Sequence, residues 1–145
     1  MRLGTSRATA LLLALALAPL VACQDPARDE TRSLVDAVSR FRLAADGEKH
    51  TRIGDIQHVA CTTKDVCDTR DTCLRMAEEL DHSLTLRVQV NEGLKQLKDG
   101  TLTKDEPRAQ ALLAVLDESK ASLEESRALE KSCDAQISGI TARHR

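Results

Sequence analysis

Five cysteines carry most of the chemistry open to this chain: Cys23, Cys61, Cys67, Cys73 and Cys133. Thiolates can ligate a metal, exchange electrons or close disulfides. A zinc reading would take His58, Cys61, Cys67 and Cys73 as ligands. Their spacing suits zinc poorly, because structural sites favour Cys pairs separated by two to four residues; here five residues separate Cys61 from Cys67 and Cys67 from Cys73. A redox centre calls for Cys-x-x-Cys or a thiol of depressed pKa, and the chain has no Cys-x-x-Cys. The remaining chemical groups are scattered. His50, His58, His82 and His144 share no motif, and the acidic groups Glu78, Glu79, Asp81 and Glu124, Glu125, Glu130 read as solvated helix faces rather than acid–base pairs. Gly-x-Ser-x-Gly, phosphate-loop, His-Glu-x-x-His and EF-hand patterns are absent. The sequence therefore points away from an enzyme, and no catalytic or metal-binding residue is expected.

Cys23 differs from the other four in what precedes it. Arg2 and Arg7 form a basic start, and Ala8–Leu20 is an apolar run of about 13 residues, short of the ~20 that a spanning helix needs. That order is a secretory signal with a processing site. Leu20-Val21-Ala22-Cys23 resembles the lipobox of bacterial lipoproteins, and the resemblance covers residues 1–23. It implies export, cleavage before Cys23, a diacylglyceryl group on the Cys23 sulfur and an acyl group on the new N-terminus, with no other cofactor. Chains of this kind anchor stably, since each buried CH₂ contributes ~0.8 kcal/mol. Gln24, rather than Asp, follows the lipidated cysteine, which leans toward the outer membrane if the source is Gram-negative.

On that reading residues 1–22 are a signal peptide, 23–27 a lipidated tether and 28–145 one helical domain. Lys and Arg number 21 and Asp and Glu 23; without Arg2 and Arg7 the balance is 19 to 23, a formal net charge of −4. There is no basic stripe for nucleic acid. Phe41 is the sole aromatic residue, which argues against stacking platforms, most small-molecule pockets and an all-β fold. The abundance of Ala, Leu, Glu, Lys, Arg and Gln predicts helices.

Periodicity predicts where they lie. Leu34, Val38, Phe41 and Ala45 form one stripe of a helix over 27–45, ended by Asp46-Gly47. Residues 51–60 form a short helix carrying Ile53, Ile56 and Ala60. A long helix starts near Thr62, with Thr62 and Asp65 spaced as a capping box. Its apolar face reads Cys73, Ala77, Leu80, Leu84, Val88 and Leu94, with Met76 and Val90 widening it, and it stops at Lys98-Asp99-Gly100. Gly93 within it costs roughly 1 kcal/mol against Ala. A second long helix starts near Thr103–Asp105, either through a Thr103–Glu106 box or with Pro107 in the first turn. Its stripe is Leu112, Leu116, Ser119, Leu123, Ser126, Cys133, Ile137 and Ile140, polar at the serines. A linker of a few residues makes the two long helices antiparallel neighbours. The expected fold is all-α: an antiparallel hairpin of two long helices with a shorter N-terminal helix, a three-helix bundle stapled by disulfides.

Setting Cys23 aside leaves four cysteines in an exported domain, which suggests two disulfides among three possible connectivities. With the linker centred near residue 101, Cys67 and Cys73 both lie at about the height of Cys133, so height does not choose. Rotation does: at about 100° per residue Cys73 shares the direction of Leu80 and Leu84, whereas Cys67 points away. The expected pairs are Cys73–Cys133 across the seam and Cys61–Cys67 beside it.

The sequence as a whole predicts a lipid-anchored cell-envelope lipoprotein acting as a structural or protein-interaction helical module. Its partners would be the membrane, through the anchor, and another envelope protein. A periplasm-facing ligand or metal-ion binder is the alternative, and a small enzyme the third.

Overall fold

The structure, a computed structural model, describes residues 25–145, so Cys23 and the predicted signal lie outside the described residues. All regular elements among the described residues are helical: α1 (Pro26–Leu43), a single 3₁₀ turn (Asp46–Glu48), α2 (Lys49–Gln57), α3 (Lys64–Asp99) and α4 (Pro107–Arg143). The fold is the expected all-α bundle built on a long hairpin, with 51–60 replaced by α2 a little earlier in the chain.

Asp25 caps α1, its carboxylate accepting the Ala27 N–H at 3.1 Å, and Pro26 occupies the first turn, where its missing N–H costs nothing. Leu34, Val38 and Phe41 are buried as the stripe predicts. The helix ends at Leu43, before Asp46-Gly47, and Ala45 is exposed. The stop comes from Lys49 rather than from glycine. Its ammonium donates to the carbonyl oxygens of Phe41, Arg42 and Ala44 at 3.2, 3.3 and 2.9 Å, and sits 5.1 Å from the centre of the Phe41 ring. The Phe41 carbonyl also accepts the Ala44 N–H at 3.3 Å, so the ammonium supplements one carbonyl and satisfies two more, as a cation at the negative end of the helix dipole.

The predicted Thr62–Asp65 capping box does not form. The Thr62 hydroxyl donates to Glu30 of α1 instead, and Asp65 pairs with Arg143 and His144 from the end of α4. A local box lost to tertiary partners. At the far end Gly100 takes a left-handed φ of 74° and Leu102 folds back into a buried position. Thr103 donates through both its N–H and its hydroxyl to Glu106, at 2.8 and 3.0 Å, and Pro107 then opens α4. Pro107 falls in the first turn as expected, but the residue before the helix is Glu106 rather than Thr103 or Asp105, and the Thr103–Glu106 pair is half a box, since the Glu106 N–H goes to the Thr103 carbonyl and not to its hydroxyl.

The hairpin seam follows a seven-residue spacing. On α4 it runs Leu112, Ser119, Ser126, Cys133 and Ile140, all buried; on α3 it includes Thr69, Met76, Ser83 and Val90, also buried. This is the repeat of two helices wrapped closely on one another. The expected α3 stripe drifts off it: Val88 is 67% and Leu94 54% exposed, while Ser83, Leu86, Val90 and Gly93 take the seam. Backbones this close leave room for Ser and Gly where larger apolar groups would not fit. A Cβ on Gly93 would stand 2.5 Å from Leu112 Cδ2.

α1 runs parallel to α3. Glu30 meets Thr62 and Thr63 at the start of α3, and Asp46, just past α1, reaches Arg87 at 3.1 Å. α2 then returns toward the start of α3, where the Val59 carbonyl accepts from Arg70. One end of the molecule, the base, thus gathers the start of α1, the start of α3 and the end of α4. The main core lies there, around Leu34, Phe41, Ile56, Val66, Cys73, Met76, Cys133 and Ile140. Beyond Arg87 the hairpin continues as a two-helix arm.

Candidate functional site

The base is where the chain's chemical groups converge. Cys73 is bonded to Cys133 across the hairpin, with Cα atoms 5.0 Å apart, and Cys61 is bonded to Cys67, with Cα atoms 5.3 Å apart. Cys73 and Cys133 are fully buried in the core. The first bond locks α3 to α4 at the base, and the second ties the segment after α2 to the first turn of α3. Sulfur atoms held in disulfides cannot serve as thiolate ligands, so the Cys61-Cys67-Cys73 zinc set loses its donors. Among the described residues no three His, Cys, Asp or Glu side chains gather around a point that could hold a metal ion.

Glu30 is the principal charged group inside this region. It is 8% exposed, and its carboxylate accepts from the Thr62 N–H at 2.8 Å, the Thr62 hydroxyl at 2.7 Å and the Thr63 N–H at 3.2 Å. Burial pushes its pKa up, but these hydrogen bonds outweigh that and hold it below the usual carboxylate range. Glu30 acts from α1 on the chain entering α3, and nothing local in the sequence marks it for that role. Lys49, which acts on the end of α1 from the start of α2, is likewise unmarked in the local sequence.

The histidines are dispersed, as their sequence positions suggested. His50 contacts Asp81 at 2.9 Å, His82 contacts Glu118 at 3.2 Å, and His58 Nδ1 donates to the Gly54 carbonyl at 2.7 Å. His144 lies beside Asp65 at 3.1 Å, with Arg143 reaching the same carboxylate at 2.8 Å. Burial raises the Asp65 pKa, and the two partners more than reverse it, leaving the group below its ordinary value. The acidic clusters are surface groups: Glu125 is met by Arg75 at 3.2 Å, and Glu78, Glu124 and Glu130 are exposed.

Ser119 and Ser126, the polar breaks in the α4 stripe, face α3. Ser83 Oγ donates to the Ser119 carbonyl at 2.8 Å, Ser119 Oγ to the Ser83 carbonyl at 2.9 Å, and Ser126 Oγ to the Met76 carbonyl at 2.9 Å. They are seam contacts and leave no hydroxyl for a partner.

Two clefts flank the base. One, of about 450 Å³, lies between α3 and α4 and is lined by Asp65, Asp68, Thr72, Ser132 and Arg143. The other, of about 300 Å³, lies between the start of α1 and the end of α4 and is lined by Arg28, Thr31, Arg32, Thr141 and Arg145. On the arm, Val88, Leu94 and Leu113 are the exposed large apolar side chains. No described helix is long and apolar enough to cross a membrane.

No family model matches this chain, and neither a curated protein nor a solved structure matches it.

Proposed function

We propose that the protein is a lipid-anchored envelope lipoprotein whose helical domain works as a stapled spacer, holding a two-helix arm away from the membrane for contact with another envelope protein. The basic start, the apolar run and Leu20-Val21-Ala22-Cys23 support the anchor. The observation that carries the spacer is the position of α1: it starts at Pro26, three residues after Cys23, and its first turns pack at the base with the start of α3 and the end of α4. An anchor at Cys23 would leave the base at the lipid surface. The 36 residues of α3 then carry the Gly100 turn about 54 Å from that base.

The arrangement suits a spacer mechanically. Both disulfides sit toward the base, where an anchored domain would bear load. The arm offers Val88, Leu94 and Leu113 to solvent. A photo-crosslinking residue placed at Leu94 or Leu113 in intact envelopes tests the contact. Repeated recovery of one protein from the arm, and not from a probe at Arg52 on α2, is the expected result; equal labelling from both positions contradicts it.

A further inference from the structure

We infer that the cleft between the start of α1 and the end of α4 is a binding site for a phosphate-type anion, supplied by the headgroup of an anionic phospholipid. Arg28, Arg32 and Arg145 line it. Arg28 and Arg32 are one turn apart on α1, so both guanidinium groups can address the same space. None of the three forms an ion pair with a described residue; of the nine other described arginines seven do, and only Arg108 and Arg127, far from this cleft, likewise have none. Asp36, on the same lining, lies 3.6 Å from Arg40. Planar guanidinium forks match phosphate oxygens in pairs, which makes such a group of arginines a phosphate site in many settings.

A second, independent observation comes from Thr31. Its side chain lines the same cleft, it is 5% exposed, and its hydroxyl has no hydrogen-bond partner. Buried hydroxyls are nearly always satisfied. Helix geometry offers Thr31 an easy local remedy, a bond to the carbonyl one turn back, which it does not take. The hydroxyl is itself buried; a turn about the Thr31 Cα–Cβ bond would bring it to a phosphate oxygen held by the arginines, which would supply the missing acceptor. Thr141, on the facing helix, lines the same space.

The anion chemistry stands on the cleft alone, whereas the headgroup as its source rests on the proposed anchor. Arg28 is in the first turn of a helix that begins three residues after Cys23, at Pro26, so an anchored chain would bring the cleft to headgroup depth. A bound headgroup would then fix the tilt of the whole hairpin, since α1 and α4 both grip it.

The test uses the full chain purified from membranes, in phosphate-free buffer, with phenylglyoxal modification of individual arginines read by mass spectrometry. The N-terminal peptide is weighed in the same digest, so the state of Cys23 is known independently. Three arms are compared: phosphatidylcholine vesicles, the same vesicles containing phosphatidylglycerol, and phosphatidylcholine vesicles with added inorganic phosphate. The inference expects Arg28 and Arg32 to be shielded by phosphatidylglycerol, with Arg108 on the arm unaffected. Shielding by inorganic phosphate alone keeps the anion site and overturns the headgroup as its source. Shielding in neither arm overturns the site. Thr31→Val keeps the volume and removes only the unpartnered hydroxyl, so the fold should persist, as circular dichroism would verify. It should raise the ligand concentration for half-shielding by roughly tenfold; an unchanged value removes Thr31 from the site.

Discussion

Ser83 and Ser119 hold the hairpin together by a reciprocal exchange: each hydroxyl donates to the other residue's backbone carbonyl, at 2.8 and 2.9 Å, with the two oxygens 3.3 Å apart. Both residues are buried. The exchange ties the backbone of α3 to that of α4 through the two carbonyls that accept these bonds.

Ser83→Ala and Ser119→Ala each remove one donated bond while leaving the other in place, and each should cost about 1 kcal/mol in urea unfolding. Ser83→Leu should cost more, about 1–3 kcal/mol, because the added bulk must force the helices apart. A Leu variant as stable as the parent would mean that the seam is looser than the hydrogen bonds require.

Gly93→Ala sets two effects against each other. Alanine favours the helix by about 1 kcal/mol, but its methyl would stand 2.5 and 2.9 Å from the two terminal carbons of Leu112. Overpacking costs about 1–3 kcal/mol, so a net loss of about 1 kcal/mol is expected. Trimming Leu112 to Ala should cost less in the Gly93→Ala background than in the parent. Additive effects in that double-mutant cycle would contradict the contact.

Acid should weaken the base first. Glu30 and Asp65 both have pKa values below the ordinary range, burial raising each and hydrogen bonds lowering each further. A lowered folded-state pKa adds stability that is complete above the unfolded value, about 4.3 for Glu, and disappears as pH falls through the folded value. Glu30→Gln should lose about 2 kcal/mol at neutral pH, since bonds to a charged group are among the stronger ones. Its stability should also fall less than the parent's between about pH 5 and pH 3. Parallel pH profiles for the two proteins would show that Glu30 does not carry the effect.

Breaking the disulfides should separate their contributions. The Cys73–Cys133 loop spans 60 residues and the Cys61–Cys67 loop 6. On the loop-entropy account these are worth about 4 and about 2 kcal/mol, as upper-end figures. Replacing Cys73 and Cys133 by Ala should therefore lower Tm more than replacing Cys61 and Cys67. The reverse order would mean that the long cross-link contributes little beyond the seam.

Helix class, the hairpin and the cysteine pairs could be read from spacing because they depend on local periodicity and on one short linker. Cys73 and Cys133 meet because both lie on seam positions, which rotation about each helix already indicates. Val88 and Leu94 are exposed because large size alone does not mark burial on this face, where a close seam selects Ser83 and Gly93. Glu30 and Lys49 were invisible for a different reason. Each caps a helix end through a tertiary contact, Glu30 at the entry to α3 and Lys49 at the exit of α1, and a charged residue in sequence carries no sign of which distant backbone group it will satisfy. The arginine cleft joins residues from opposite ends of the domain and is legible only once α1 lies beside the end of α4.

The anchor depends on Cys23. Mass spectrometry of the N-terminal peptide of the mature protein tests it most directly. The expected peptide begins at Cys23 and carries the added mass of a diacylglyceryl group and an N-linked acyl chain. A peptide that begins elsewhere, or an unmodified Cys23, would contradict the anchor and the membrane-facing base built on it.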